Sequence, residues 1–457
     1  MKKMILRMAL VGWTLCLCLL SSCSGSDYIN AIPSSSSAVI SIDMQQMAEK
    51  HHMADKANVL KSLLHVDDVN DCGIDLSEKL YLFETADGNL GLCAKVDSHG
   101  KLEEWVDYLA KQHICSPLSE RKGFQFAVLK GSWVLGFSDK AMLVMGPVVA
   151  DAQVDMQRQM ARYLKADEKQ GIQASPIFER LDTISSAMAM VAQAQALPEK
   201  FVAPFTLGAP KDADASQVVI AAQMEIQKGM LRIKGETFSF NDGIDKALKD
   251  AAKNYRPIKG NYVMSMPDDA VAGIFMNVDG NKFLPMMQSN KGIQQLLLGI
   301  NAAIDMDNII RSVNGDMAIV MPSLSDSNLK MTMAAQLANS KWLADVGYWK
   351  ESCPKGSTIA DWGKNAYYYT DGKTSFYFGV SDDCQFYSGS DQILASYSIK
   401  ESNHPIPVDI RKEVVGQKLA MVINLAKSGS GNDAMSAITS LLSPIFGNLT
   451  SIVYTLE

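Results

Sequence analysis

The 457-residue chain has no CxxC pair, no cluster of lysines and arginines, and only six histidines. It also lacks any low-complexity tract of length, and its one strongly apolar run is short. Each absence removes a class of protein. Without basic clusters, and with a formal charge of -7, the chain is a poor partner for nucleic acid or anionic lipid. Without CxxC or grouped spacing, its eight cysteines form neither a disulfide framework nor a zinc site. The apolar run, Met8 to Leu20, is too short to span a bilayer comfortably. With 47% apolar and 20% charged residues, the chain can still bury cores for two or three domains.

What is present begins at the N-terminus. MKKMILRMALVGWTLCLCLLSSC has a basic start, an apolar segment and then small residues, the layout of a signal peptide. Leu20-Ser21-Ser22-Cys23 resembles the lipobox of bacterial lipoproteins, which makes Cys23 the expected lipidation site and first mature residue. An ordinary secretory signal that happens to contain a cysteine is the alternative. Cys16 and Cys18 would leave with the leader, and the small-residue stretch after Cys23 reads as a tether. Of the remaining thiols, Cys72, Cys93, Cys115, Cys353 and Cys384, burial as small apolar groups is expected, with one bridge among the first three left open.

From Ala38 onward short strand-like runs alternate with amphipathic helices. Val39–Ile42, Leu80–Phe83 and Leu90–Val96 read as strands, and Met47–Leu64 as a helix. Leu102, Trp105, Val106 and Leu109 form one apolar helix face. Phe124–Leu129 and Trp133–Phe137 flank Lys130-Gly131 as a hairpin.

GFSDKAMLVMG at 136–146 and GVSDDCQFYSG at 379–389 share Gly, Ser, Asp and the final Gly. The match extends outward: Trp105 falls on Trp342, Leu80–Phe83 on Met317–Val320, and IPSSSSAVISID on MPDDAVAGIFMNVD. Colinear blocks of this kind indicate tandem duplication. The expected linker is the polar stretch 246–260, punctuated by Pro257. GxSD itself reads as a turn, because neither copy has a histidine following at a corresponding place to serve a nucleophilic serine. The second copy also stops early. Ser451–Leu456 matches an outgoing strand of the first copy, but nothing follows to match the returning strand Leu231–Phe238. The missing strand would leave an open edge; either the natural chain runs further and this sequence is truncated, or the edge is covered by another segment or a partner.

Chemistry-bearing patterns are weak. Ser119-x-x-Lys122, Ser327-x-x-Lys330, Lys373-Thr374-Ser375 and Ser430-Gly431-Asn432 suggest a penicillin-binding set, but their order is wrong and the KTG glycine is missing. Asp68–Gly73 begins like a calcium loop, yet Lys79 stands where the closing glutamate belongs. His51, His52 and His65 lack a fourth ligand, and the paired methionines Met188/Met190 and Met331/Met333 read as core. Trp349, Trp362 and Tyr367–Tyr369 read as alternating core and surface residues.

The lipobox, IPSSSSAVISID, GIDLSEKLYLF and KLEEWVDYL together resemble a family of Bacteroidales lipoproteins, domain of unknown function 4836. The resemblance implies an exported, lipid-anchored protein and carries over no catalytic residue. The expected fold is α+β, with two tandem related lobes, each an antiparallel sheet packed with helices, after a lipoprotein signal peptide. The expected organisation is signal peptide 1–22, tether 23–37, first lobe 38–245, linker 246–260 and second lobe 261–457. The expected function is a non-enzymatic binding or scaffold lipoprotein of a Gram-negative outer membrane, facing the periplasm or the surface. It would need no cofactor or metal, and its partner would be a protein or glycan. The alternative is an envelope hydrolase whose site is assembled from distant residues; a Ser/His/Asp set in a cleft would favour it, an exposed apolar patch would favour binding.

Overall fold

The computed structural model describes residues 26–51, 66, 68–325, 328–425 and 449–456. Cys23, His52, His65, Ser327 and Ser430 lie outside them. The protein is mixed α+β, with twelve α-helices among the described residues. It divides into two compact units, Met1–Met188 and Ala189–Glu457.

The first unit carries β1 (Ala38–Ile42), β2 (Leu80–Glu84), β3 (Leu90–Lys95), β4 (Ser119–Arg121), β5 (Phe124–Leu129), β6 (Trp133–Phe137) and β7 (Ala141–Gly146). All pair antiparallel, in the order β1-β2-β3-β7-β6-β5-β4. The helix His99–Lys111 connects β3 to β4. Ser98 caps it by accepting the Lys101 N–H, and its i, i+4, i+7 face buries Leu102, Val106 and Leu109. Lys130 and Gly131, both at positive φ, bend the chain between β5 and β6. Cys72, Cys93 and Cys115 are free and buried, so no bridge forms. Burial raises all three thiols above their ordinary range, which leaves them unreactive packing groups.

β8 (Met188–Gln193) crosses the division. The second unit continues with β9 (Val219–Gln227), β10 (Met230–Phe238), β11 (Tyr255–Arg256), β12 (Ala272–Asp279), β13 (Val313–Ser325), β14 (Asn328–Leu337), β15 (Thr358–Gly363), β16 (Ala366–Thr370), β17 (Ser375–Val380), β18 (Gln385–Gly389), β19 (Leu419–Asn424) and β20 (Ser451–Leu456). Its sheet runs β9-β10-β20-β19-β12-β13-β14-β18-β17-β16-β15, with β11 also against β12. Every pairing is antiparallel except β10 with β20. Both faces are covered at the centre, and the pleat sorts the side chains. Met276, Met317, Ala335, Leu419, Met421 and Tyr454 enter one core; Phe275, Ala318, Ala334, Ala420, Val422 and Val453 enter the other.

The structure bears on two expectations. The compact units divide at Met188/Ala189, so the stretch expected to be a linker lies inside the second unit. Asp242–Ala252 is a helix capped by Asn241, and its Ile244, Leu248 and Ala251 join the first of the two cores. Tyr255–Arg256 then pairs with β12. The edge of β20 is covered by another segment of the chain itself, one of the expected alternatives. β20 lies between β19, from Leu419↔Leu456 to Asn424↔Ser451, and β10, from Met230↔Ser451 to Gly235↔Leu456. The tight turn at Lys228-Gly229, both left-handed, folds β10 back from β9 and leaves its second edge free for that pairing.

Gly280 shows how closely the helices sit. It opens the helix Gly280–Ser289 after the cap Asp279, and a Cβ there would be driven into the Ile310 carbonyl, which is backbone and cannot give way cheaply. Gly280→Ala is expected to cost roughly 3 kcal/mol in urea unfolding. An unchanged midpoint would show that this approach is looser than described.

Candidate functional site

The GxSD segments are hairpin turns. Ser138 N donates to Ala141 O at 2.9 Å, and Ser138 Oγ accepts from Lys140 N and Ala141 N. Ser381 does the same one residue wider, its N donating to Gln385 O at 3.0 Å and its Oγ accepting from Gln385 N at 3.0 Å. The glycines serve close approach. A Cβ on Gly136 would enter the Phe126 ring, and one on Gly379 would meet the Tyr387 ring, each from the partner strand. A histidine does reach the first turn, but from upstream: His99 Nδ1 lies 2.9 Å from Asp139 Oδ1 and Nε2 lies 3.3 Å from Glu103. Ser138 is committed to the turn, Asp139 is 89% exposed, and in the second GxSD segment Asp382 pairs with Lys364 instead. The geometry is that of surface ion pairing.

The other patterns resolve in the same way. Ser119 sits in a strand and donates to Phe126 O, while Lys122 is a turn residue at positive φ. Asp371 holds the turn containing Lys373 and Thr374 by accepting both backbone N–H groups. Asp68 accepts from Asn70 N and caps a short 3-10 turn, and no His/Cys/Asp/Glu group among the described residues could hold a metal. Met188 and Met333 are buried. Trp349 is buried and stacks on Trp342 at 5.8 Å, while Trp362 donates to Tyr367 O.

What the tertiary structure does assemble is a cleft of about 380 Å³ in the second unit. Its floor is Val320 and Pro322 of β13 with Thr332 of β14. One wall is the helix Gln392–Tyr397, started by Asp391, whose carboxylate accepts the Leu394 N–H at 2.8 Å. That helix comes down on the sheet because Gly389 has no side chain to hold off Ala395. The opposite wall and end are segments 265–269 and 402–404, zipped by Ser402 N to Met264 O, Asp268 N to His404 O and Ile406 N to Met266 O. Ile393 and Tyr397, one helical turn apart, line the cleft yet stay 70% and 56% exposed.

Serines, aspartates and a histidine thus share one cleft, and its hydroxyls bond to backbone. Ser265 Oγ donates to Tyr262 O, Ser398 Oγ to Ala395 O and Thr332 Oγ1 to Val320 O. Ser402 Oγ accepts the His404 backbone N–H. Among the described residues, no ion pair joins His404 to Asp268 or Asp269. A nucleophile needs a base in hydrogen-bond reach, and none of these hydroxyls is bonded to one. The sequence offered no signal for this cleft beyond the isolated His404 and the Asp268-Asp269 pair, because its lining comes from segments up to 139 residues apart.

An α+β protein with a large, mainly antiparallel sheet and an open cleft is the class this geometry defines. The chain belongs to the family described as Domain of unknown function (DUF4836), whose family model matches residues 57–406. The curated proteins give no match. Among solved structures, crystal form IV of TP0453 is 10% identical, with a TM-score of 0.28, over 45% of this chain and 77% of that one. Crystal form I of TP0453 is 8% identical, with a TM-score of 0.25, over 82% and 96%.

Proposed function

We propose that the protein is a non-enzymatic binding lipoprotein of the cell envelope, tethered through acylated Cys23 and engaging its partner at the cleft of the second unit. The observation that carries the binding half is the cleft's lip. Ile393 and Tyr397 stay exposed over an apolar floor, whereas the surrounding hydroxyls are committed to backbone. An exposed apolar rim around a cavity of this size marks an interaction site. The anchor half rests on the leader and LSSC.

The two units also support a tandem origin. β1-β2-β3-β7-β6-β5-β4 in one and β12-β13-β14-β18-β17-β16-β15 in the other follow the same chain logic, each with a helical segment after the third strand. On this reading Trp105 and Trp342 occupy equivalent places.

Two measurements test the proposal together. Wild type should partition into detergent with the mass of an acylated chain starting at Cys23, and Cys23→Ala should stay aqueous; an acyl-free wild type sinks the anchor. In pull-downs from native membranes, Ile393→Ser with Tyr397→Ser should lose the captured partner at unchanged melting temperature. Identical capture by the variant would remove the cleft from the reading.

A further inference from the structure

The charge around the cleft is one-sided. Asp268 and Asp269 line it, both exposed, and no lysine or arginine does. Among the described residues neither carboxylate takes part in an ion pair, although Asp268 is firmly placed: its N–H is bonded to His404 O and its carbonyl accepts Asn424 Nδ2 at 2.7 Å. The opposite wall supplies Ile393, Leu394 and the Tyr397 ring, and the floor supplies Val320 and Pro322. A second observation shows what the aromatic wall accepts. The Lys400 ammonium, from the chain itself, stands 5.2 Å from the Tyr397 ring centroid, within cation–π reach.

From these groups we infer that the cleft takes an organic cation, a primary amine or guanidinium carried on an apolar body; the inference rests on the cleft being the binding site proposed above. The apolar body lies on the floor between Pro322 and Ile393, which removes apolar surface from water on both sides. The cationic head faces Asp268 and Asp269, with the Tyr397 ring on the opposite wall. Anionic ligands are rejected because the two carboxylates would lie beside them with no cation lining the cleft to offset the repulsion. A volume of about 380 Å³ suits one such group, free or carried as a side chain on the captured partner.

The test is a titration of the full chain carrying Cys23→Ala with phenethylamine, phenethyl alcohol and 3-phenylpropionate, read by methyl NMR at Ile393 and Leu394. The amine is expected to shift these methyls saturably with Kd near ~1 mM, and the alcohol and the acid to bind at least about tenfold more weakly. Asp268→Asn with Asp269→Asn should bring the amine down to the level of the alcohol, and Tyr397→Leu, which keeps the apolar wall, should weaken the amine alone. An alcohol that binds as well as the amine overturns the cation and leaves the cleft as a binding site. Failure of all three probes to shift the methyls overturns the inference, while the membrane capture above decides separately whether the cleft binds at all.

Discussion

Removing residues 449–457 is expected to abolish cooperative unfolding of the second unit. β20 is an interior strand, with six residue pairs to β19 and six to β10. It places Val453, 1% exposed, in one core and Tyr454, 5% exposed, in the other. Burying side chains of this kind is worth about 1.5–3 kcal/mol each, and the ladder bonds on both edges are lost with them. A domain's whole stability is about 5–15 kcal/mol, so the deletion takes most of it. A urea titration followed by circular dichroism should show a broad, low-amplitude transition in place of a sharp one. The single change Val453→Ala should lower stability by about 2 kcal/mol and keep the cooperativity. A truncated chain that melts like the full one would mean that β20 is not built into the sheet.

Asp316→Ala is the second large effect. Asp316 is 2% exposed and lies on β13, yet it makes four hydrogen bonds that fix the segment 257–261. Oδ1 accepts from Lys259 N at 3.0 Å and Asn277 Nδ2 at 2.9 Å; Oδ2 accepts from Gly260 N at 2.8 Å and Asn261 N at 2.9 Å. Asn277, itself 2% exposed, also donates to Pro257 O. Burial, and then the Asp316 charge, hold the neighbouring Tyr262 phenol above its usual range. Alanine would leave three backbone donors and half of an amide unpaired, at about 1–3 kcal/mol for each group that water cannot reach. The expected loss is about 3–5 kcal/mol. Asn keeps one acceptor but turns an NH₂ toward backbone N–H groups, so it should recover only part, to a loss of about 2 kcal/mol. Equilibrium unfolding of both variants decides this; a loss below about 1 kcal/mol for alanine would show that water or another group satisfies the segment.

The contrast between these residues and the turns marks how far the sequence could be read. The helix over Leu102, Val106 and Leu109, the hairpin at Lys130-Gly131 and the GxSD turns were legible because their causes lie within a dozen residues: an apolar period, a capping serine, a positive-φ pair, a hydroxyl bonding its own turn. The burial of Cys72, Cys93 and Cys115 was expected from their scattered spacing, whereas the bridge left open among them was excluded by the structure. None of those causes reaches far along the chain. The parallel pairing of β10 with β20 joins Gly229 to Thr450 across 221 residues. No local pattern encodes it, since β20 matches an outgoing strand equally well whichever edge it meets. The division at Met188/Ala189 has the same origin, because Ile244 and Leu248 look like any amphipathic helix until the core that receives them is known. The cleft is the extreme case. Asp268, Val320, Thr332, Tyr397 and His404 are ordinary residues in sequence. The zipped loops and the missing Gly389 side chain are what bring them around one space. Local steric and hydrogen-bonding preferences therefore determined the elements and their turns, and long-range packing alone decided which edges pair, where the units divide and where a ligand can sit.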